Sequence, residues 1–202
     1  MRKYPYLYIF LCALLVSGCA SLNANTPFRY QPSLIADNKQ IDKIAGLNLL
    51  MDDRPKSDSI YTKNISDIPE KITAKLLEDF NASHIFKELH YSSRGSDDIV
   101  INGRVDRFTW KLYSTPLGYV PLVSYFGIST LQAYGVATIT LEIKDNHSGA
   151  VIATIQESAA IKNAFSVYNF KIGDSGSELE DAFREVGRKL KQAVLQKLSA
   201  QP

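Results

Sequence analysis

The amino-acid sequence predicts an α+β domain, in which a largely antiparallel or mixed sheet of about 4–6 strands carries two helices packed on one side. Three observations lead to this prediction. Residues 98–113 and 133–143 alternate apolar with polar side chains, as strands with one buried face do. Residues 68–81 and the segment from 177 onward instead place apolar side chains at helical spacing. The order of strand, helix, several strands and helix lets both helices cover the same sheet.

The first strand and the first helix are predicted early in the domain. The apolar run Ile44–Met51 has the length of a buried strand and stops at the polar sequence 52–55. Asp67 and Glu70 then have the spacing of a capping box, which predicts a helix over 68–81. The buried face of that helix is predicted from its apolar residues Ile68, Ile72, Leu76, Leu77 and Phe80. A second strand is predicted over 84–91.

The long strand at 98–113 changes phase part-way along. Its first apolar residues share one parity and its last ones share the other: Ile99, Ile101 and Val105, then Phe108, Trp110 and Leu112. One extra residue in a strand reverses the face that each later side chain occupies. The sequence therefore predicts a bulge near Asp106–Arg107, which keeps both sets on the same core.

A hairpin and a final helix complete the domain. In the strand 133–143 the inward set is Ala133, Gly135, Ala137, Ile139, Leu141 and Ile143. The polar turn 145–149 leads to a returning strand, whose inward set is Val151, Ala153, Ile155, Ala159 and Ile161. Ser177 and Glu180 repeat the capping-box spacing before a C-terminal amphipathic helix, with apolar residues Leu179, Phe183, Val186, Leu190, Val194 and Leu198.

The N-terminus has the pattern of a bacterial export signal. Arg2 and Lys3 precede an apolar stretch over 6–16, which at eleven residues is shorter than the roughly 20 that a membrane-spanning helix needs. The stretch ends in Leu15-Val16-Ser17-Gly18-Cys19, which resembles a lipobox. The alternatives are a transmembrane anchor or a buried helix ending in an incidental cysteine. The resemblance implies cleavage before Cys19, a diacylglyceryl group on its thiol and an acyl chain on its amino group.

These features divide the chain into three parts. Residues 1–18 are predicted to be a lipoprotein signal peptide, 19–40 a lipidated N-terminus and polar tether, and 41–202 a single periplasmic α+β domain. Ala20 follows the cysteine where an aspartate tends to retain lipoproteins of enteric type in the inner membrane, so the resemblance implies attachment to the outer membrane. No cofactor is expected other than the acyl groups on Cys19.

Charge and cysteine content exclude two classes of protein. Loss of residues 1–18 removes Arg2 and Lys3 and no acid, so that 21 cations balance 21 acids. Nucleic-acid binding is not expected, since such proteins concentrate Lys and Arg on one face. Cys12 leaves with the signal and Cys19 is committed to lipid, which leaves no cysteine for a disulfide. Stability must therefore come from one apolar core.

A long uncharged segment is the second unusual feature. The 30 residues between Lys111 and Glu142 contain no Asp, Glu, Lys or Arg, and Pro116 and Pro121 oppose a helix within them. We predict an apolar insert at 114–131 that contacts a partner or the membrane. Its contact residues are predicted to be Tyr119, Leu122, Val123, Tyr125, Phe126 and Ile128. The alternatives are that the insert joins the core of its own sheet or contributes to an oligomeric pore.

No pattern predicts catalysis or metal binding. His84, His90 and His147 lack the close helical spacing of a metal site. The acidic pair Asp52–Asp53 is adjacent, so its side chains point in opposite directions at a strand end. The Gly-Asp-Ser-Gly sequence at 173–176 precedes a predicted helix instead of forming the strand-to-helix turn of a hydrolase nucleophile. A non-enzymatic protein is expected.

The order of these elements resembles the small α+β outer-membrane lipoproteins of the YajG kind, and more distantly the soluble domain of the curli-secretion lipoprotein. The resemblance covers roughly residues 43–199 and includes the strand ending in Asp52-Asp53-Arg54-Pro55. Together with the signal and the insert, it leads to the hypothesis of a non-enzymatic outer-membrane lipoprotein whose domain binds another envelope component, expected to be a protein, in assembly, transport or envelope integrity. Two alternatives stay open, a lipid or glycolipid carrier of a transport system and an oligomeric secretion channel.

Overall fold

The computed structural model describes residues 28–32, 40–59, 65–120, 123–166, 168 and 175–199. The strands are β1 (Ile41–Leu47), β2 (Met51–Asp52), β3 (Phe86–Tyr91), β4 (Ile99–Ser114), β5 (Leu131–Asp145) and β6 (Val151–Phe165). The helices are α1 (Lys56–Ser59), α2 (Ile68–Ala82) and α3 (Ser177–Ser199). The predicted α+β class and the C-terminal helix are confirmed.

The strands form one mixed sheet of six strands. Its order is β3-β1-β4-β5-β6, with the short β2 also beside β4. β1 runs parallel to β3 and β4, and β2 runs parallel to β4, whereas β5 runs antiparallel to both of its neighbours, β4 and β6. β4 pairs with β1 only up to Ile101 and with β2 only up to Val105. Beyond that point β4, β5 and β6 continue as a three-stranded antiparallel ribbon.

The helix-covered face of the sheet holds the core. The inward set predicted for β5 is buried there, and α3 packs across β5 and β6. The register of β4 against β5 shifts between Val105 and Arg107, which confirms the predicted bulge. Because of this shift Val105, Phe108 and Trp110 are all fully buried in the same core.

Several local predictions differ from the structure, and one of them is Val151, which was predicted to face inward but is exposed. The run Ile44–Met51 is not one strand, because the chain leaves the sheet at Asn48, whose side-chain amide donates to Asn102 Oδ1 at 2.9 Å. The helix predicted at 68 does begin there, but Asp67 has left-handed backbone geometry and its side chain makes no capping bond. The capping box at Ser177 is also wrong: Ser177 is already the first helical residue, and the carbonyl of Gly176 accepts the first amide bonds of α3.

Phe28 and Tyr30, which the sequence places in the tether, pack into the core. Phe28 stacks on Phe108 with ring centroids 5.5 Å apart, and both Phe28 and Tyr30 meet Phe183 edge-on. Aromatic pairs in these geometries add to the stabilisation from burial alone. The core therefore includes residues that precede β1, on the helix-covered side of the sheet.

A buried ion pair joins α2 to α3 beside this aromatic cluster. Lys191 Nζ lies 3.4 Å from Asp79 Oδ1, and both side chains are fully buried. The Tyr30 hydroxyl donates to Asp79 Oδ2 at 3.3 Å, and Lys191 also donates to Ser83 Oγ at 3.1 Å. Burial, and then the nearby Asp79 carboxylate, raises the pKa of the Tyr30 phenol above its ordinary value. The phenol therefore remains a hydrogen-bond donor.

The connection from β3 to β4 crosses over β1 at Gly46. Ser92 N donates to Leu47 O at 2.9 Å, and Asp98 N donates to Ile44 O at 3.0 Å, so the connection is fastened on both sides of Gly46. A Cβ at Gly46 would overlap Ser93 Cα and lie 2.9 Å from Ser93 N. Only glycine leaves room for a backbone to pass this closely.

The variant Gly46→Ala is therefore expected to lose about 1–3 kcal/mol of unfolding free energy, because backbone atoms must move to admit the methyl group. Gly95→Ala, in the same connection, is the matched control, since a Cβ there meets no atom within 4 Å. Urea unfolding followed by circular dichroism measures both variants. Equal stability of the two would contradict the close crossing at Gly46.

Candidate functional site

The uncharged segment forms the connection between β4 and β5, at the end of the antiparallel ribbon. Its base is tied to all three strands: Thr115 N donates to Thr130 O at 2.8 Å, and Thr130 N donates to Phe165 O at 2.9 Å. Thr115 and Thr130 are both buried. The base of the connection is therefore a continuation of the sheet.

Beyond this base the chain makes two short 3-10 turns, at Pro116–Tyr119 and Val123–Phe126, which pack against each other. The first turn lies close over the sheet end, since a Cβ at Gly118 would come within 2.9 Å of Thr130 O. Gly127, with φ of 74°, reverses the chain after the second turn. Pro116 opens the first turn at a position where its missing N–H is not needed.

Apolar side chains of this connection point into solvent. Tyr119 is 79% exposed and Phe126 is 78% exposed. We define the apolar loop surface as the five exposed residues Leu117, Tyr119, Val120, Phe126 and Ile128. The alternative in which the insert joins the core does not hold for these five side chains.

The structure places the six predicted contact residues differently. Tyr119, Phe126 and Ile128 belong to the apolar loop surface, whereas Val123 is partly buried. Leu122 and the side chain of Tyr125 lie outside the described residues. Leu117 and Val120 were not predicted to be contact residues. The sequence feature that could have indicated them is the absence of charge in the segment that contains both.

Exposed apolar side chains are concentrated at this end of the sheet. Among the described residues, seven of the eleven large apolar side chains that are exposed lie there: Tyr113, Leu117, Tyr119, Val120, Phe126, Ile128 and Tyr168. The other four are spread over the rest of the domain: Leu49, Met51, Tyr91 and Val151. Scattered apolar residues are normal on a protein surface, but a cluster of this kind indicates a contact site.

A buried carboxylate fixes α3 beneath the loop. Glu178, in the first turn of α3, accepts from Trp110 Nε1 at 2.9 Å and from Asn163 Nδ2 at 3.0 Å. Its negative charge also lies at the positive end of the helix dipole. Both oxygens therefore have donors, and the group holds the helix against the ribbon.

A second polar cluster, which the sequence did not predict, lies beside the crossing at Gly46. His90 Nε2 is 3.1 Å from the buried carboxylate of Asp97, and His90 Nδ1 is 3.7 Å from Glu88 Oε1. Asp97 Oδ2 also accepts from Arg94 N at 2.6 Å, which closes a turn in the β3–β4 connection. Within the described residues no nucleophile bonds to the imidazole, so the cluster fastens the connection.

The open face of the sheet carries a shallow depression of about 150 Å³, lined by Met51, Asn102, Gly103, Arg104, Thr140 and Glu142. Pockets that enclose a small organic ligand are larger, at roughly 300–1,000 Å³. Among the described residues no three His, Cys, Asp or Glu side chains are grouped to hold a metal. None of the described helices has the length and apolar character that spanning a bilayer requires.

Among the solved structures that resemble this domain are three from bacteria. Protein XCC0632 from Xanthomonas campestris, of the DUF330 family, superimposes with a TM-score of 0.53 at 10% identity, over 83% of this chain and 91% of that one. A Helicobacter pylori homolog of a neuraminyllactose-binding hemagglutinin gives 0.51 at 11% identity, over 89% and 100%. A minor lipoprotein from Acinetobacter baumannii gives 0.42 at 11% identity, over 76% and 93%.

No protein-family model and no curated protein matches the sequence. At identities near 10% the structural similarity establishes the fold alone. The mixed sheet with its C-terminal helix is thus a fold that is also found in solved proteins from Xanthomonas campestris and Helicobacter pylori.

Proposed function

We propose that this chain is a non-enzymatic lipoprotein of the bacterial cell envelope. It is attached to the outer membrane through lipid on Cys19, and its periplasmic domain contacts another envelope component through the apolar loop surface. The observation that carries the contact is the concentration of exposed apolar side chains at one end of the sheet. The order of elements in the sequence, which resembles that of lipoproteins of the YajG kind, also supports a role in assembly, transport or integrity of the envelope.

The attachment follows from the chemistry of the sequence around Cys19. Each buried methylene of an acyl chain contributes about 0.8 kcal/mol, and one chain alone binds only reversibly. The two or three chains that a lipobox implies make the attachment durable. A domain held in this way meets its partner at high effective concentration, so that a contact of modest area suffices.

The packing of the domain favours a protein that contacts an envelope component, and not one that encloses and carries a lipid. Between the sheet and the helices lie Phe80, Phe108, Trp110, Phe183 and Leu190, each at most 2% exposed. A carrier needs an apolar groove to enclose its ligand, whereas most of the exposed large apolar side chains among the described residues lie at the loop end of the sheet.

The anchor is tested by Cys19→Ala. We expect the variant to keep residues 1–18 and to lose incorporation of a labelled fatty acid, because the thiol that receives the lipid is gone. Intact mass and labelling measure both effects. Cys12→Ala is the matched control, since it changes the other cysteine within the signal and should leave processing and labelling intact. Unchanged labelling of the Cys19 variant would overturn the proposed attachment.

The contact is tested by crosslinking in cells from a photoreactive residue at position 119. Position 91 is the control, because Tyr91 is also exposed but lies at the opposite end of the sheet, at the end of β3. We expect adducts to envelope material from 119 in clear excess over 91. Equal or absent capture at the two positions contradicts the apolar loop surface as the contact site.

A further inference from the structure

We propose that the apolar loop surface inserts into the interface of the same membrane leaflet that carries the Cys19 acyl chains, so that the domain is held to the bilayer at two places. This inference rests on the proposed lipidation and names the envelope component that the loop contacts. Three observations support it: the number of residues from Cys19 to the first core residue, the chemistry of the loop, and the space left for any other partner.

The first observation is the reach of the N-terminal segment. The described chain starts at Phe28, whose ring stacks on Phe108 in the middle of β4. Eight residues lie between Cys19 and Phe28, and the nine steps from one Cα to the next span at most roughly 30 Å in an extended chain. Phe108 is six residues from the loop base at Ser114, which is about 20 Å along a strand.

The opposite end of the sheet is harder to reach. From Phe108 back to Ile99 at the start of β4 there are nine residues, or roughly 30 Å, the whole reach of the segment. The distance from Phe108 to the loop base is about 10 Å shorter than the reach of the segment from Cys19 to Phe28. The lipid on Cys19 can therefore lie in a membrane that touches the loop, but reaches a membrane at the other end only when fully stretched.

The second observation is the chemistry of the loop. Inserting a charged group into a membrane is costly, and the sequence from 112 to 141 contains none. Tyr119 combines an apolar ring with a hydroxyl that can stay in the headgroup layer, as tyrosines at membrane interfaces do. Phe126, Leu117 and Ile128 supply the apolar surface that a shallow insertion of about 5–10 Å buries.

Charges near the loop suit an anionic headgroup layer. Lys162 is exposed on β6, three residues before Phe165, which pairs with Leu131 at the loop base. It thus lies about 10 Å from the base, at the depth of phosphate groups if the loop enters the interface. Glu180, in the first turn of α3, and Asp181, which follows it, lie on the helix-covered side.

The third observation is the space available. With the loop end toward the membrane, the reach of the segment from Cys19 to Phe28 exceeds the distance to the loop base by only about 10 Å. This is no more than the diameter of a single helix. A folded protein domain does not fit in that gap. The loop therefore contacts the bilayer interface, because the lipid on Cys19 holds the domain close to it.

The test measures contact of the loop with lipid in the mature lipidated protein. Tyr119→Trp and Tyr91→Trp are reconstituted in vesicles of phosphatidylethanolamine and phosphatidylglycerol, with or without bromine on the upper acyl chain, which quenches nearby indole fluorescence. The native Trp110, fully buried, is present in both variants and in the wild-type protein, which sets the background. Both substitutions are at exposed positions, so the fold is retained.

We expect brominated lipid to reduce the emission of the indole at 119 by about half or more relative to that background, with no change for the indole at 91. Unquenched emission at 119 in vesicle-bound protein would overturn the insertion and leave the lipidated anchor in place. Protein whose mass shows no acyl groups would overturn the proposed function, and the insertion with it. Equal quenching of the indoles at 119 and 91 would also overturn the inference, because contact with lipid would then not be specific to the loop end.

Discussion

The variant Lys191→Met is expected to lose about 3–5 kcal/mol of unfolding free energy, because it leaves the Asp79 carboxylate buried between α2 and α3 without its counter-charge. The aliphatic part of the side chain is kept by methionine, so little packing is lost. Tyr30 and Asp79 remain in hydrogen-bond contact, but a single phenol does not replace an ammonium group.

The double variant Asp79→Leu with Lys191→Met should recover at least half of the loss, since replacing both members of a buried pair by apolar groups is often neutral. Lys197→Met is the matched control: it is in the same helix, near its end, and is exposed, so its effect should be within about 0.5 kcal/mol. Guanidinium unfolding of the four proteins measures these values. A single variant as stable as the control would contradict the buried pair.

The cost of Lys191→Met should also depend on pH. Burial raises the pKa of Asp79, with Lys191 acting in the opposite direction, so the pKa rises further when Lys191 is removed. A carboxyl whose folded pKa lies above its unfolded value contributes stability that is fully present below the unfolded pKa and lost as pH rises through the folded pKa. The loss should therefore be smaller near pH 4 than near pH 7, which unfolding at the two values measures.

Lys191 shows what a sequence pattern cannot reveal. A lysine beside the apolar stripe of an amphipathic helix reads as a surface residue, since lysine is almost never buried without a partner. Its partner Asp79 is 112 residues away on another helix, and no local spacing joins the two. The sequence feature that could have indicated a buried partner is Gly187, one turn earlier on α3. Its lack of a side chain makes room for the Asp79 carboxylate.

The bulge in β4 shows the opposite case. A change of parity within one strand is a local signal, because the side-chain period of a strand is two and the core is on one side only. The hairpin, the two long helices and the uncharged connection were predicted for the same reason. The crossing at Gly46 and the early docking of Phe28 and Tyr30 were not, since each depends on which distant segments the fold brings together.

Substitution of Gly135 is the second change that we expect to lower stability strongly. Its effect also arises from a contact between segments that are distant in the sequence. The sequence places this residue in the inward set of β5, where a glycine merely continues the alternation. In the structure the first turn of α3 lies directly on it, and a Cβ would overlap the backbone of Glu178 and Leu179. No side chain can move aside to relieve this contact, because both sides of it are backbone.

Gly135→Ala is therefore expected to push the start of α3 away from the ribbon and to lose about 3 kcal/mol of unfolding free energy. The displacement stretches the bond from Trp110 to Glu178, now 2.9 Å, and the bond from Asn163 at 3.0 Å, so a buried carboxylate loses donors as well as packing. Trp110 is the only tryptophan of the chain, so its emission reports on this site alone. We expect that emission to shift to longer wavelength together with the lower stability, while Gly95→Ala changes neither. Wild-type emission and stability in Gly135→Ala would show that α3 does not pack on the sheet at this residue.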